Sequence, residues 1–252
     1  MTLSLNYPAS FPDRRNADDA PRFWLIANML RRQVFPQEPD QPLEASDMPK
    51  LFPSLIVNGK AIEIAWDFQH QVHDAGGLEV YGVCETDPEV PGTANVCING
   101  PLLHNRPDIM LSTAAHELGH VVFDIPEALN GDGTTYRQYR SAEAADNAFR
   151  NAAAISFSEW RANEFMGALL APALAVHRRM LHHARNERLA IIRSRNAGHP
   201  AWPVLSGDND PEAVAGLTEV LAQEFGVSPR FMSVRLDQYK LITRKSRRGG
   251  RS

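Results

Sequence analysis

The stretch Thr113-Ala114-Ala115-His116-Glu117-Leu118-Gly119-His120-Val121-Val122-Phe123 decides how the rest of the chain is read. Its two histidines stand four apart. On an α-helix they lie one turn apart on one face, so both imidazoles can reach a single metal ion. Glu117 then sits about 100° round from His116, beside such a metal rather than on it. A carboxylate there suits a general base for a metal-activated water. The spacing predicts a helix over residues 108–123. Leu111, Ala115, Leu118 and Val122 form one apolar stripe, and Ile109, Thr113, His116, His120 and Phe123 form a second on a different face. A central helix buried on both sides is what this reading requires. Gly119 costs about 1 kcal/mol of helix stability against alanine, and a small residue there allows close approach of another backbone.

A catalytic zinc site needs three protein ligands and an open fourth position. A third histidine six residues after His120 is excluded, because the chain has Phe123 and Pro126 where that pattern needs glycine and histidine. A glutamate from a later helix is the other common solution. Two glutamates lie in the expected helix over 159–170, Glu159 and Glu164. The apolar stripe there runs Ala162, Phe165, Met166 and Leu169. Glu159 continues it one turn earlier, whereas Glu164 is about 140° away from Glu159 and points off it. A carboxylate on a buried stripe needs a partner, and a metal supplies one. The other reading of Glu159 is a capping box with Ser156, closing the helix start. Asn163, one turn after Glu159, is placed to hold a histidine N–H.

These two segments together resemble the ImmA/IrrE family of metallopeptidases. The family pattern is a His-Glu-x-x-His helix followed by a helix reading roughly Glu-x-x-Ala-Asn-x-Phe-Ala and ending Leu-Leu-Met-Pro. Here it stands as His116-Glu117-Leu118-Gly119-His120, then Glu159-Trp160-Arg161-Ala162-Asn163-Glu164-Phe165-Met166, then Leu169-Leu170-Ala171-Pro172. Phe225-Gly226-Val227-Ser228-Pro229 and Arg235-Leu236 look like that family's closing helical segment, so the match covers about residues 54–241. The resemblance implies a gluzincin-like zinc peptidase with His116, His120 and Glu159 as ligands and Glu117 as base. It implies, as substrate, a repressor with a helix-turn-helix domain, cut to relieve repression. Met166 and Ala171 replace the usual alanine and methionine. The interval from His120 to Glu159 is long for the family, so an insertion there is a candidate lid or specificity surface.

Outward from the two helices, 252 residues suffice for one large or two small domains with a real core. The hydrophobic share is 43%, the charged share 22% and the net charge -4, which excludes a chain built wholly for nucleic-acid or membrane-surface binding. No basic, apolar leader opens the sequence and no apolar run reaches membrane-spanning length, so a cytoplasmic protein is expected. Cys84 and Cys97 sit in no zinc-type spacing, and a disulfide between them cannot be deduced. An acidic, proline-containing start predicts a first helix over 22–34, and the proline-rich stretch 36–53 reads as a linker or an extended wrap. Asn58-Gly59 between apolar runs is a hairpin turn. Residues 78–84 and 94–99 read as two further strands. Helices are expected over 142–154, 173–193, 212–225 and 230–241. The order gives an α+β class: a small antiparallel sheet on an active-site helix pair, then a mostly helical C-terminal half. The divisions expected are 1–53 (helix and linker), 54–205 (zincin-like catalytic domain), 206–241 (helix-turn-helix-like) and 242–252 (a basic, disordered tail).

Four residues are candidates for the donor that stabilises a developing oxyanion: His104, Tyr136, Tyr139 and Arg140. Sequence selects none of them. His177, His182 and His183 on a basic helix read as a solvated face rather than a second metal site. The two last helices read as a packing hairpin in preference to a DNA reader, although direct DNA binding by a regulator with a structural or sensing zinc site is the second function class weighed. By sequence, Glu117 separates the two classes, since a structural zinc site has no use for a carboxylate at the attacking water. By the same resemblance, strand 94–99, leading into the histidine helix, should lie at the sheet edge. An extended substrate could add there as a further strand, with the interval 125–157 supplying pockets.

Overall fold

The structure, a computed structural model, describes residues 2–8, 17–87, 89–129, 136–140, 156–196 and 199–243. The chain falls into two compact units, Met1–Leu170 and Ala171–Ser252. The division lies at the end of the glutamate-bearing helix, and not at the expected positions 53/54 and 205/206.

The first unit is a mixed α+β arrangement. Six strands, β1 (Leu3–Leu5), β2 (Ser54–Val57), β3 (Lys60–Asp67), β4 (Gly82–Thr86), β5 (Thr93–Ile98) and β6 (Arg137–Arg140), form one sheet in the order β1-β2-β3-β5-β4-β6. Asn58 and Gly59 turn β2 into β3 with φ of 49° and 82°, the pair of left-handed residues a two-residue hairpin turn needs. The sheet is larger than expected and is not wholly antiparallel: β1 runs parallel to β2, and β3 parallel to β5. The strand expected at the edge, β5, is central, paired with β3 on one side and β4 on the other. Strand addition at residues 94–99 is therefore ruled out. Among the described residues the end of the sheet on that side is β6, which lies inside the 125–157 interval and pairs antiparallel with β4. Its four residues, Arg137-Gln138-Tyr139-Arg140, lack the apolar alternation that marks a strand in sequence.

Helix α1 (Ala20–Val34) opens with Pro21 in its first turn and buries Phe23, Ile26, Ala27 and Leu30. Of the two readings of residues 36–53, the extended wrap agrees with the contacts. Arg31 is buried and donates to the carbonyls of Pro39, Gln41 and Leu169. Two short helices, α2 (Met48–Leu51) and α3 (Gly100–Leu103), flank the sheet strands. Gly100 has no alternative: a Cβ there would lie 1.9 Å from the Phe68 carbonyl oxygen.

The histidine helix is α4 (Pro107–Phe123), and a short α5 (Ile125–Ala128) follows it. Helix α6 (Phe157–Leu170) carries Glu159. Helix α4 packs between β4 and β5 on one side and α6 on the other, so both of its stripes are buried as the sequence implied, save half-buried Ile109 at its start. At the crossing, a Cβ on Gly119 would lie 3.0 Å from the Cα of Ala162. Glycine thus lets the two helices approach closely enough for side chains of both to share one site. Phe123 closes the lower end of the pair, edge-on to Phe23 and Phe165.

The second unit holds α7 (Ala173–Asn186), a two-stranded sheet of β7 (Ile191–Asn196) and β8 (His199–Leu205), α8 (Pro211–Glu224) and α9 (Pro229–Gln238). The helix expected over 173–193 ends early: Arg188 takes a φ of 56° and the chain turns out into β7. The β-branched pair Ile191-Ile192 favours a strand over a further helical turn. Asp210 and Ser228 each cap the helix that follows, accepting from the N–H of Glu212 and Phe231. The expected helix 142–154 and the basic tail 244–252 lie outside the described residues.

Among the described residues no helix is long and apolar enough to cross a membrane.

Candidate metal centre

One group of side chains among the described residues could hold a metal ion: His116, His120 and Glu159. Both histidines are fully buried. Their Nε2 atoms are 3.0 Å apart. The Glu159 carboxylate oxygens lie 3.3 Å from His116 Nε2 and 3.2 Å from His120 Nε2. Bonds of about 2.0–2.1 Å to a tetrahedral zinc put its ligand atoms about 3.3 Å apart. Each of the three separations is close to that edge length, with His116 facing Glu159 Oε2 and His120 facing Oε1.

The partners behind the rings fix which nitrogens carry protons. His120 Nδ1 is 2.6 Å from Asp124 Oδ2, and His116 Nδ1 is 3.1 Å from Asn163 Oδ1. Both oxygens accept, so both Nδ1 atoms donate. In neutral rings each Nε2 then presents a bare lone pair towards the other and towards a carboxylate. Three acceptors cannot satisfy one another, and the group calls for a cation between them. The electrostatics of the protein alone show the same demand. Burial opposes charge on His120, yet its hydrogen bonds to Asp124 and Glu159 hold its pKa above the ordinary histidine range. Burial, with Arg140 adding to it, pushes His116 down. Glu159 stays ionised against its burial because of the two histidines.

Glu159 shows that the two sequence readings of this residue describe different atoms. Its backbone N–H donates to Ser156 Oγ at 3.2 Å, so the serine caps the helix start, while its carboxylate turns to the histidines. Gln138 on β6 donates to that carboxylate at 2.8 Å. Glu164 points elsewhere and accepts from Trp24 Nε1 at 2.8 Å.

Glu117 is also fully buried, and among the described residues neither of its carboxylate oxygens has a hydrogen-bond partner. It faces β4, where a Cβ on Gly82 would lie 3.2 Å from its Oε1. Burial pushes its pKa up to about 7, near the working range of a general base.

A web not foreseen from the sequence stands behind His120. Asp124 Oδ2 accepts from Ser158 Oγ at 2.9 Å and from the Tyr136 hydroxyl at 3.2 Å, and its other oxygen is bonded by Arg161. Arg161 also reaches Glu127 at 3.0 Å. The available signal was position: Asp124 lies one helical turn beyond His120. Tyr136, whose hydroxyl is also 2.9 Å from His120 Nδ1, supports the ring from behind and so is not the oxyanion donor. Two more of the four candidates fall away. His104 is exposed and bonded to Pro101 and Asn105, and Tyr139 packs against Val72, Val80 and Val83 on the other face of the sheet.

The cysteines cannot pair. Cys84 shares the face of β4 that Gly82 turns to α4, while Cys97 packs with Val83 on the opposite face, and both are free. His177, in the second unit, bonds the Pro203 carbonyl at 2.7 Å against the Trp202 ring, and His183 bonds Glu224 at 2.9 Å. Neither joins a metal-ligating group among the described residues.

No protein-family profile, curated protein or solved structure matches this chain.

Proposed function

We propose that this chain is a zinc-dependent endopeptidase of the ImmA/IrrE type, with His116, His120 and Glu159 holding the metal and Glu117 as general base. The observation that carries the reading is the joint one: two imidazole nitrogens and a carboxylate converge on one point, and beside them lies a buried carboxylate with no hydrogen-bond partner among the described residues. Two neutral imidazoles and one carboxylate form a donor set that suits zinc and leaves a position open. Zinc supplies Lewis acidity and lowers the pKa of water.

The chain's own residues then have separate tasks. Asp124 and Asn163 hold the two rings in the Nδ1–H tautomer, and Gln138 steadies Glu159. Glu117 takes the proton of the attacking water and passes it to the departing amine. Among the described residues β6 is paired on one side only, with β4. Its other side can accept an extended substrate segment through main-chain hydrogen bonds. This moves the substrate edge from residues 94–99 to 137–140. By the resemblance, the substrate is a helix-turn-helix repressor, and the setting is cytoplasmic regulation of transcription under stress.

The competing class, a DNA-associated regulator with a non-catalytic zinc site, draws less support. On the helix that would read DNA, Arg235 is buried, with its guanidinium over the Phe231 ring, and is not free to reach a groove. The test is to incubate the protein, with and without chelator, alongside the repressor encoded next to it. Cleavage abolished by chelator and by Glu117→Gln is expected. An intact repressor, together with tight DNA binding by the protein, would overturn the peptidase reading in favour of the other.

A further inference from the structure

Strand β6 presents one face to the metal centre, and three polar side chains alternate along it. Tyr136, just before the strand, is committed to His120 and Asp124, and Gln138 to Glu159. The third is Arg140. Only 4% of its surface is exposed, and its one side-chain contact within bonding distance among the described residues is Nη2 to the Met166 sulfur at 3.8 Å. Its Nε has no partner, and no carboxylate forms an ion pair with it among the described residues. A guanidinium buried without an anion is costly and calls for one.

The anion's place follows from the register. Arg140 lies opposite Gly82 across the β4–β6 pair, and Gly82 is the residue against which the Glu117 carboxylate lies. Arg140 and Glu117 therefore come from either side of one glycine, of opposite charge, both buried, and not bonded to each other. Each feels the other's field. One of the two can take a proton and the other can meet developing negative charge.

We infer that Arg140 is the catalytic residue that donates to the scissile carbonyl oxygen as it becomes negative. This rests on the peptidase reading. In the step, water adds to the carbonyl carbon. A C–O bond forms, the carbonyl π pair moves onto its oxygen facing Arg140, and the water proton passes to Glu117. The C–N bond then breaks as the C=O bond re-forms, the leaving nitrogen takes its electron pair and the proton from Glu117, and an acid and an amine result.

The experiment compares two analogues of one peptide, the best-cleaved member of a fluorescence-quenched library. One carries a phosphonate in place of the scissile amide, the other an uncharged hydroxyethylene. Their affinities for the zinc-loaded protein are measured by calorimetry, beside zinc content, kcat and KM. Arg140→Met should lower kcat and phosphonate affinity about 100-fold each, the scale of losing one oxyanion donor. KM, zinc content and hydroxyethylene affinity should change less than about threefold. Arg140→Lys, which keeps the charge but not the fork, should fall between, and serves if the methionine variant does not fold. Wild-type protein that binds the phosphonate, with variants that lose both analogues equally or neither, overturns this inference alone. Wild-type protein that neither cleaves the library nor binds the phosphonate overturns the peptidase reading and this inference with it.

Discussion

His120 and Asp124 are joined at 2.6 Å, ring Nδ1 to carboxylate oxygen, one helical turn apart and both buried. Asp124 is held in turn by Ser158, Tyr136 and Arg161. The carboxylate thus fixes the orientation of a candidate metal ligand and raises its basicity. Asp124→Asn keeps the shape and removes the charge. Zinc affinity, measured by competition with a chromophoric chelator, should weaken about 10- to 100-fold. An unchanged affinity would mean that the web behind His120 is only a packing feature.

Ligand and base should separate on mutation. His116→Ala should lose most of the zinc, about one ion per chain in the wild type. Glu159→Gln should weaken metal binding. Glu117→Gln should keep the zinc and abolish cleavage. Because Glu117 is a buried carboxylate with no hydrogen-bond partner among the described residues, this variant should also melt several degrees above the wild type when both are metal-free at pH 8. Calorimetric melting curves check this. A less stable variant would point to an interaction of Glu117 that the fold does not display.

Gly82 gives a steric handle on the same carboxylate. A Cβ there would meet Thr113 Cγ2 at 2.8 Å as well as Glu117 Oε1. Gly82→Ala should destabilise the protein by about 1–3 kcal/mol, the usual cost of overpacking. It should reduce activity while leaving zinc content near one per chain. A neutral effect on both stability and activity would show that β4 can yield there without disturbing Glu117.

The thiols should be inert in the native protein. Burial pushes Cys84 well up, and burial with Asp67 and Glu85 nearby pushes Cys97 from 9.0 to about 11. Alkylation at pH 8 should be slow until the protein is denatured, and mild oxidation should yield no intramolecular disulfide. The folded chain holds the Cys97 proton more tightly than the unfolded one. Its contribution to stability is therefore complete below pH 9 and lost as pH rises towards 11. Cys97→Ala should flatten the fall in melting temperature across that window. A fall as steep as the wild type's would place the loss on other groups.

What was legible in the sequence follows the range of the signal. His116, Glu117 and His120 share one helix, and Glu159 is placed by its own helix's apolar stripe, so local periodicity sufficed for the candidate ligands. The Asn58-Gly59 turn was legible because both residues tolerate left-handed backbone. Pairing was not. Nothing in Thr93–Ile98 says that β3 runs parallel beside it, or that Arg137–Arg140 returns from far along the chain to cover β4. Long-range partners are chosen by the assembled sheet rather than by any one strand's pattern. Gln138 and Arg140 escaped assignment for the same reason: their importance comes from where the strand lands.

Glu159 is laid down well after the two histidines, on a helix of its own. A growing chain that has passed Phe123 but not reached Glu159 carries only a histidine pair, a grip of the sort many divalent ions can share. The third arm arrives when α6 closes the intervening loop against α4, and the entropy of that closure is set against the metal's binding energy. Discrimination among ions is thereby postponed until the Gly119–Ala162 crossing has formed. On the proposed zinc reading, the occupant would be selected by a finished cage and not by the nascent polypeptide.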